Sequence, residues 1–119
     1  MNTCSYVDGQ TMREDDLTDD QAIQLAEMFK LMGDPSRLRI IVSCLTAPMC
    51  VSDIAARHGL SQSLVSHHLR LLRAARVLRA ERKGKQIFYE ANDEHVRRVI
   101  SDMVAHVREP AADMDDVLK

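Results

Sequence analysis

The chain has 119 residues and a formal net charge of −2, with 45% hydrophobic and 3% aromatic residues. Its length suits a single domain with a modest core, which favours association with a partner subunit. No apolar run approaches the ~18 residues of a membrane span, three widely separated cysteines make no disulfide framework, and the lack of tryptophan argues against stacking on single-stranded nucleic acid. We therefore expect a cytoplasmic protein without membrane contact.

The near-neutral total charge averages blocks of opposite sign. Residues 1–35 sum to −6, residues 57–89 to +7 and residues 90–119 to −4. In the middle block, eight Lys or Arg side chains stand against Glu81 alone. A basic centre between acidic ends indicates an anionic partner for the middle of the chain.

The first part of the chain predicts a polar arm followed by two helices. Residues 1–16 show no apolar period and form the arm. Thr18 begins a capping box, and one apolar stripe continues to Gly33, so the first helix occupies this stretch. Asp34, followed by proline at the first helical position, starts a second helix over residues 36–45.

The next segment predicts two short helices separated by a glycine-containing turn. The first passes through Ile54 and stops at Gly59, and the second is capped by Ser61 and covers residues 62–75. This arrangement is a helix-turn-helix.

A hairpin and a long helix complete the pattern. Residues 77–82 and 86–91 form strands on either side of a basic tip, so the helix-turn-helix gains a wing. A last helix with a broad apolar face runs to Arg108, and residues 110–119 form an acidic tail. We thus predict a mainly α fold with a small β-hairpin, a winged helix-turn-helix over residues 17–109.

The basic block coincides with the predicted helix-turn-helix, which indicates binding of double-stranded DNA. At ~100° per residue, the helix over residues 62–75 has one polar face suited to base edges, while Leu64 and His68 lie on the apolar side. Hairpin cations would contact the phosphate backbone. The candidate DNA contacts are Gln62, Ser63, Ser66, His67 and Arg70 on the helix, and Arg79, Arg82, Lys83 and Lys85 on the hairpin.

The last helix carries metal-ligating residue types at both ends. Asp93 and His95 stand at its start, and His106 and Glu109 share a face at its end. A rise of ~1.5 Å per residue separates His95 from His106 by ~16 Å, so one helix cannot join both pairs on a single zinc ion. Two copies packed antiparallel would bring each pair beside the partner's other pair and form two N₂O₂ sites.

Four segments carry a family resemblance that covers roughly residues 20–110. They read DPSRLRI from residue 34, CVSDIA from residue 50, SQSLVSHHLRLL from residue 61 and GKQIFY from residue 84, and they resemble the ArsR/SmtB family of bacterial metal-sensing repressors. The resemblance implies a homodimer formed through the first and last helices. Such a dimer represses by binding operator DNA and dissociates when an inducing metal binds, which derepresses metal efflux or resistance genes.

The resemblance also implies a ligand set. Zinc-sensing members supply Asp-x-His from one subunit and His-x-x-His or His-x-x-Glu from the other, a pattern that Asp93, His95, His106 and Glu109 match. We therefore expect Zn(II) as the inducer, with Co(II), Cd(II) and Ni(II) as alternatives.

A second family site, used for softer metals, combines a cysteine of the arm with a Cys-Val-x-Asp segment. Cys4, Cys50 and Asp53 match these parts, but Ser52 stands where a second cysteine is typical. The thiolate count then falls to two, which weakens a soft-metal site. Cys44, on the apolar side of its helix, is expected in the core.

Two alternatives remain open at this point. A thiol-based redox or sulfide sensor would need Cys4 and Cys50 to meet. A constitutive dimeric DNA-binding protein would use the last helix only as a dimer seam, and zero metal ions per dimer instead of two would identify it. An enzyme is not expected, because the chain lacks the His-Glu-x-x-His motif of a hydrolytic metalloenzyme.

Overall fold

The computed structural model describes residues 16–110, and in this part of the chain five helices and three short strands follow one another. In chain order they are α1 (Asp19–Met32), α2 (Pro35–Thr46), β1 (Met49–Cys50), α3 (Val51–His58), α4 (Gln62–Ala74), β2 (Leu78–Lys83), β3 (Gln86–Ala91) and α5 (Glu94–Arg108). Cys4, residues 1–15 of the predicted arm and residues 111–119 of the predicted tail lie outside the described residues. Within residues 16–110, no helix is long and apolar enough to cross a membrane.

The first two helices begin at the predicted caps. The Thr18 hydroxyl accepts a hydrogen bond from the Gln21 backbone N–H at 3.1 Å, and the Gln21 side chain accepts one from the Thr18 N–H at 2.9 Å, which completes the capping box. Asp34 accepts from the Arg37 N–H at 3.0 Å, and Pro35 occupies the first helical position. These bonds satisfy N–H groups that the first turn of a helix leaves without a partner.

The helix-turn-helix prediction is confirmed by α3 and α4. Gly59 ends α3 with φ +66°, a left-handed conformation that glycine adopts without steric cost. Ser61 then caps α4 by accepting from the Leu64 N–H at 3.1 Å. Ala55 and Val65, one on each helix, are buried where the two helices pack together.

The core lies between α2, α3, α4 and the sheet. Its fully buried side chains are Ile40, Ile41, Cys44, Ile54, Val65, Leu69, Leu72, Val77 and Leu78. The large aliphatic members each contribute about 1.5–3 kcal/mol through burial. By contrast, α1 has no buried residue and α5 buries only Ile100. The first and last helices therefore leave most of their apolar surface outside the core of a single chain.

The sheet has three antiparallel strands in the order β1-β3-β2, so the prediction of a two-stranded hairpin was incomplete. Met49 and Cys50 pair with Tyr89 and Phe88 of β3. Two residues directly after a proline show no alternation, which is why the sequence pattern did not reveal β1. The hairpin turn consists of residues 84–85, because β2 extends one residue further than predicted, to Lys83.

The chain leaves α4 through a left-handed residue that is not glycine. Arg76 has φ +64°, and the Val77 N–H donates to the Leu72 carbonyl at 2.9 Å, the bonding pattern of a Schellman-type helix end. This turn directs Val77 into the core and starts β2, so it fixes the wing relative to the end of α4.

Candidate nucleic-acid interface and metal centre

The polar face of α4 is open to solvent. Gln62, Ser63, His67 and Arg70 are exposed and Ser66 is half-buried, while the opposite face is held in the core. The five residues that the sequence nominated on this helix thus share one accessible side. Hydroxyl, amide, imidazole and guanidinium groups on such a face can hydrogen-bond to base edges or phosphates.

His68 is buried on the inner side of α4, as predicted, and it has a partner that the sequence did not suggest. Arg37 donates from Nε to Nδ1 of His68 at 3.1 Å, and its guanidinium also donates to the Leu31 carbonyl at 3.4 Å. Burial, with Arg37 next in effect, lowers the pKa of His68. The only sequence signal for Arg37 was its place in the segment that starts at Asp34.

Leu64 departs from the prediction that it lies on the apolar side with the core residues. Its side chain is 41% exposed, whereas Val65 and Leu69 are fully buried. On the helical wheel, Leu64 lies about 90° from the centre of the buried face, at the border of the polar one. A residue at this position of the helix can be either buried or exposed, and in the folded chain the surrounding packing leaves Leu64 exposed.

The hairpin cations do not form one uniform patch. The Arg79 guanidinium lies 3.0 Å from the Glu90 carboxylate, its directly opposite neighbour on β3. Lys83, on the same face of β2, places its Nζ 5.9 Å from the centroid of the Phe88 ring. Arg82 belongs to the other face, and Lys85 lies in the turn. All four are exposed, but Arg79 already has an anionic partner.

A second hydrogen-bonded pair, which is partly buried, joins α3 to α2. His58 Nε2 lies 2.7 Å from the Ser43 hydroxyl, which itself donates to the Arg39 carbonyl at 2.9 Å. Since the hydroxyl proton is used on that carbonyl, His58 acts as the donor. Burial lowers the pKa of His58, with Arg57 and Arg39 adding to the effect. Sequence spacing of 15 residues between the two partners offered no signal for this contact.

The start of α5 brings Asp93 and His95 together. Asp93 caps the helix by accepting from the Val96 N–H at 3.0 Å, and the same oxygen lies 3.8 Å from Nδ1 of His95. The hydrogen bond from Val96 lowers the pKa of the Asp93 carboxyl, which keeps it ionised. The His95 side chain is 96% exposed. Each carboxylate oxygen retains a free lone pair, so an oxygen and a nitrogen ligand are available here.

The end of α5 carries the other two candidates. His106 is exposed in the last turn, and Glu109 follows the helix as its extended cap residue, with its N–H donating to the His106 carbonyl at 3.2 Å. Glu109 thus lies one residue past the end of the helix, whereas its spacing from His106 had suggested a position on the same helical face. Within residues 16–110 of one chain, no group of three or more His, Cys, Asp or Glu side chains forms a metal-binding cluster.

An exposed apolar face separates the two ends of α5. Val99, Met103 and Val107 are 48%, 58% and 77% exposed. They line a groove of about 490 Å³ whose opposite wall includes Phe29 of α1 and Leu38 of α2. Large apolar side chains grouped in this way mark an interaction surface.

The candidate soft-metal residues are divided between buried and exposed positions. Cys50 is 5% exposed, and its Sγ lies 3.3 Å from the Ser52 hydroxyl and 3.9 Å from Nε2 of Gln86. Asp53 is exposed on α3, and Cys4 lies outside the described residues. Cys44 is fully buried, and burial raises the pKa of its thiol to about 12, which supports its assignment to the core.

Comparison with known proteins gives consistent matches. The model for "Bacterial regulatory protein, arsR family" matches residues 34–80. A "Transcriptional repressor SmtB homolog" of Synechocystis is 40% identical over 90 residues, which cover 76% of this chain and 68% of that protein. A "Cadmium resistance transcriptional regulatory protein CadC homolog" of Staphylococcus aureus is 34% identical over 82% of this chain and 81% of its own length.

A structural match supports the fold. The homodimeric winged helix-turn-helix DNA-binding domain of a Mycobacterium bovis protein superimposes with a TM-score of 0.70 at 23% identity, covering 78% of this chain and 89% of that domain. At this level of identity the likeness concerns the fold alone, and it agrees with the arrangement of α3, α4 and the wing.

Proposed function

The chain belongs to the arsR family of bacterial regulatory proteins, which are DNA-binding transcriptional regulators and not enzymes, and from this premise we propose a homodimeric, metal-responsive repressor. In this proposal the dimer binds operator DNA in the cytoplasm and dissociates when it binds Zn(II) or a similar divalent metal, which derepresses metal efflux or resistance genes. The observation that carries the proposal is that α5 has a pair of candidate metal ligands at each end and an exposed apolar face between them.

The apolar face supports dimerisation. Val99, Met103 and Val107 lie exposed in a single chain, and Ile100 is the one buried residue that α1 and α5 together contribute to the described core. Burial of these side chains against the same face of a second copy would remove them from water, and a two-fold interface uses one patch twice. The homodimeric structure from Mycobacterium bovis has the same fold.

The donor set supports metal binding between two chains. Asp93 and His95 of one chain, with His106 and Glu109 of the other, supply two imidazole nitrogens and two carboxylates, which suit tetrahedral zinc. Cobalt is accepted by similar sites, nickel prefers more ligands, and the CadC homolog makes cadmium a further candidate. A bound divalent cation would neutralise the two carboxylates of each site.

His106 provides a route from the metal site to the DNA-reading helix. When one ring nitrogen serves as a ligand, the other becomes a fixed donor that requires an acceptor. A backbone carbonyl at the end of α4, at Ala75 or Arg76, is the acceptor that we propose. Such a bond would tie the dimer axis to α4 and disfavour the spacing needed for two successive major grooves.

The DNA contacts in this proposal come from two elements. Gln62, Ser63, Ser66, His67 and Arg70 of α4 would lie in the major groove, while Arg79, Arg82, Lys83 and Lys85 of the wing would contact phosphate. The set of Cys4, Cys50 and Asp53 remains a proposal for a weaker soft-metal site, with two thiols at most.

The test is a metal titration of the DNA-bound protein. Zinc, cobalt, nickel and cadmium are each added to the complex with an operator fragment, and DNA release is followed by fluorescence anisotropy. Cobalt absorption reports tetrahedral coordination and the presence or absence of sulfur. We expect two ions per dimer and nitrogen and oxygen ligation.

The matched variant is His106→Gln. It should bind DNA like the parent chain but resist metal-driven release, because Gln cannot link the metal to α4. Release of this variant by zinc at the parental concentration would contradict the proposed coupling, and zero ions bound per parental dimer would favour a constitutive DNA-binding protein.

A further inference from the structure

One large apolar side chain lies exposed at the DNA-facing end of α4. Leu64 occupies the third position of the helix, and its side chain is 41% exposed. Its neighbours Gln62, Ser63 and His67 are polar and exposed as well. Single exposed leucines are common on protein surfaces, so the place of Leu64 among polar residues of α4, more than its exposure, is the observation that matters here.

The apolar groove beside α5 does not provide that explanation. That groove is lined by residues of α1, α2 and α5 together with Gly33, and Leu64 is not among them. Leu64 belongs instead to the segment of net charge +7, whose surface suits an anionic partner. In the proposed function, the surface next to Leu64 is the one that meets nucleic acid.

The geometry of a helix directs this side chain toward the DNA. Cα–Cβ bonds tilt toward the helix N-terminus, so Leu64 leans over the first turn of α4. In helix-turn-helix proteins, the N-terminal residues of the second helix contact base edges in the major groove. Thymine alone among the four bases presents a methyl group there, and apolar side chains contact that group.

From this placement we infer that Leu64 is a specificity-determining residue, whose side chain contacts the 5-methyl group of a thymine in each half of the operator. The inference rests on the proposed docking of α4 in the major groove. The contact would add a preference for thymine to whatever the polar residues of the same face recognise. A leucine cannot form hydrogen bonds with cytosine, adenine or guanine, so it would gain no comparable contact with those bases.

The experiment isolates the methyl group. Duplexes bound by the full-length protein are first selected from a random pool, and the thymines of one selected duplex are then replaced singly by deoxyuridine, which differs only by the missing methyl. We expect one symmetry-related thymine per half-site at which the replacement weakens binding roughly fourfold, and about fifteenfold when both half-sites are changed.

The protein variants assign the effect to Leu64. Leu64→Ala should bind the thymine duplex more weakly and lose all sensitivity to deoxyuridine at that position, which is a double-mutant cycle across the interface. Leu71→Ala removes the same atoms from a half-buried leucine two turns further along α4 and should keep the deoxyuridine effect. Circular dichroism confirms that both variants are folded.

The outcomes separate this inference from the proposed function. If the parent protein selects a duplex but Leu64→Ala retains the full deoxyuridine effect, or if no thymine shows an effect, the role of Leu64 is refuted while DNA binding stands. If the parent protein selects no duplex, the docking of α4 is refuted and the inference falls with it.

Discussion

Arg37 donates a hydrogen bond to Nδ1 of His68 at 3.1 Å and so holds α4 against the first turn of α2. The acceptor nitrogen carries no proton in this arrangement, so the imidazole is neutral. The Arg37 guanidinium reaches the Leu31 carbonyl of α1 as well. One side chain thus connects α1 and α2, which border the proposed dimer face, to α4, the helix proposed to contact DNA.

This contact predicts a pH-dependent stability. The pKa of His68 is lowered by burial and by Arg37, and the pKa of His58 is lowered by burial and by Arg57. The unfolded chain, with histidine pKa values near 6.5, then binds more protons than the folded chain at acidic pH. The contribution of the two neutral histidines to the free energy of unfolding is therefore fully present above pH 6.5 and is lost as the pH falls below it.

Urea unfolding between pH 5 and 8, at fixed protein concentration with a chelator present, measures this effect. His68→Gln should flatten part of the pH dependence, whereas His67→Gln, a change of the exposed neighbour, should leave it as in the parent chain. A parental free energy of unfolding that rises on acidification from pH 7 to 5.5 would contradict the assignment.

Asp93 has two separable roles, and two substitutions distinguish them. Asn is as good an N-cap as Asp, so Asp93→Asn should leave thermal stability without metal nearly unchanged and weaken zinc and cobalt binding, because the charged ligand is lost. Asp93→Ala should lose about 1 kcal/mol of stability in addition. Unchanged cobalt affinity in Asp93→Asn would exclude Asp93 as a ligand.

If the exposed apolar face of α5 forms the dimer interface, a single charge placed in it should prevent dimerisation. Met103→Lys places an ammonium group at the centre of the exposed stripe of α5, and this side chain contributes little to the core of one chain. We expect a folded monomer by sedimentation and circular dichroism, with operator affinity strongly reduced. Ser101→Lys adds the same charge on an exposed face away from the stripe and should remain dimeric.

The wing predicts unequal contributions to the salt dependence of DNA binding. Roughly six phosphates neutralised per dimer give a log–log slope of about −5. Lys85→Gln removes two contacts per dimer and should make the slope shallower by about 2. Arg79→Gln should change it less, because Arg79 is paired with Glu90 in the free protein. Equal changes in the two variants would show that the ion pair opens on binding.

Local signals in the sequence predicted most of the fold. Caps at Thr18, Asp34 and Ser61 placed the helix starts within one residue, because side-chain capping depends only on near neighbours in the chain. β1 escaped notice since two residues have no periodicity, and its pairing with Tyr89 depends on tertiary contacts.

The site was less predictable, because its contacts join residues far apart in the sequence. Arg37 and His68 are 31 positions apart, and no pattern of residue types specifies such a bond. Leu64 lies at the border of two helix faces, where a wheel gives no decision. The two halves of the proposed metal site stay a prediction, because the second set of ligands would come from another chain.

The strand order β1-β3-β2 leaves β2 at one edge of the sheet in the described chain. An unpaired strand edge is a template for pairing with other molecules, and charged side chains are the usual protection against it. β2 carries Arg79, Glu81, Arg82 and Lys83 among its six residues. The wing cations that we propose as phosphate contacts therefore also protect the DNA-free protein against edge-to-edge aggregation. Substitutions that neutralise the wing should lower the solubility of the protein together with its affinity for DNA.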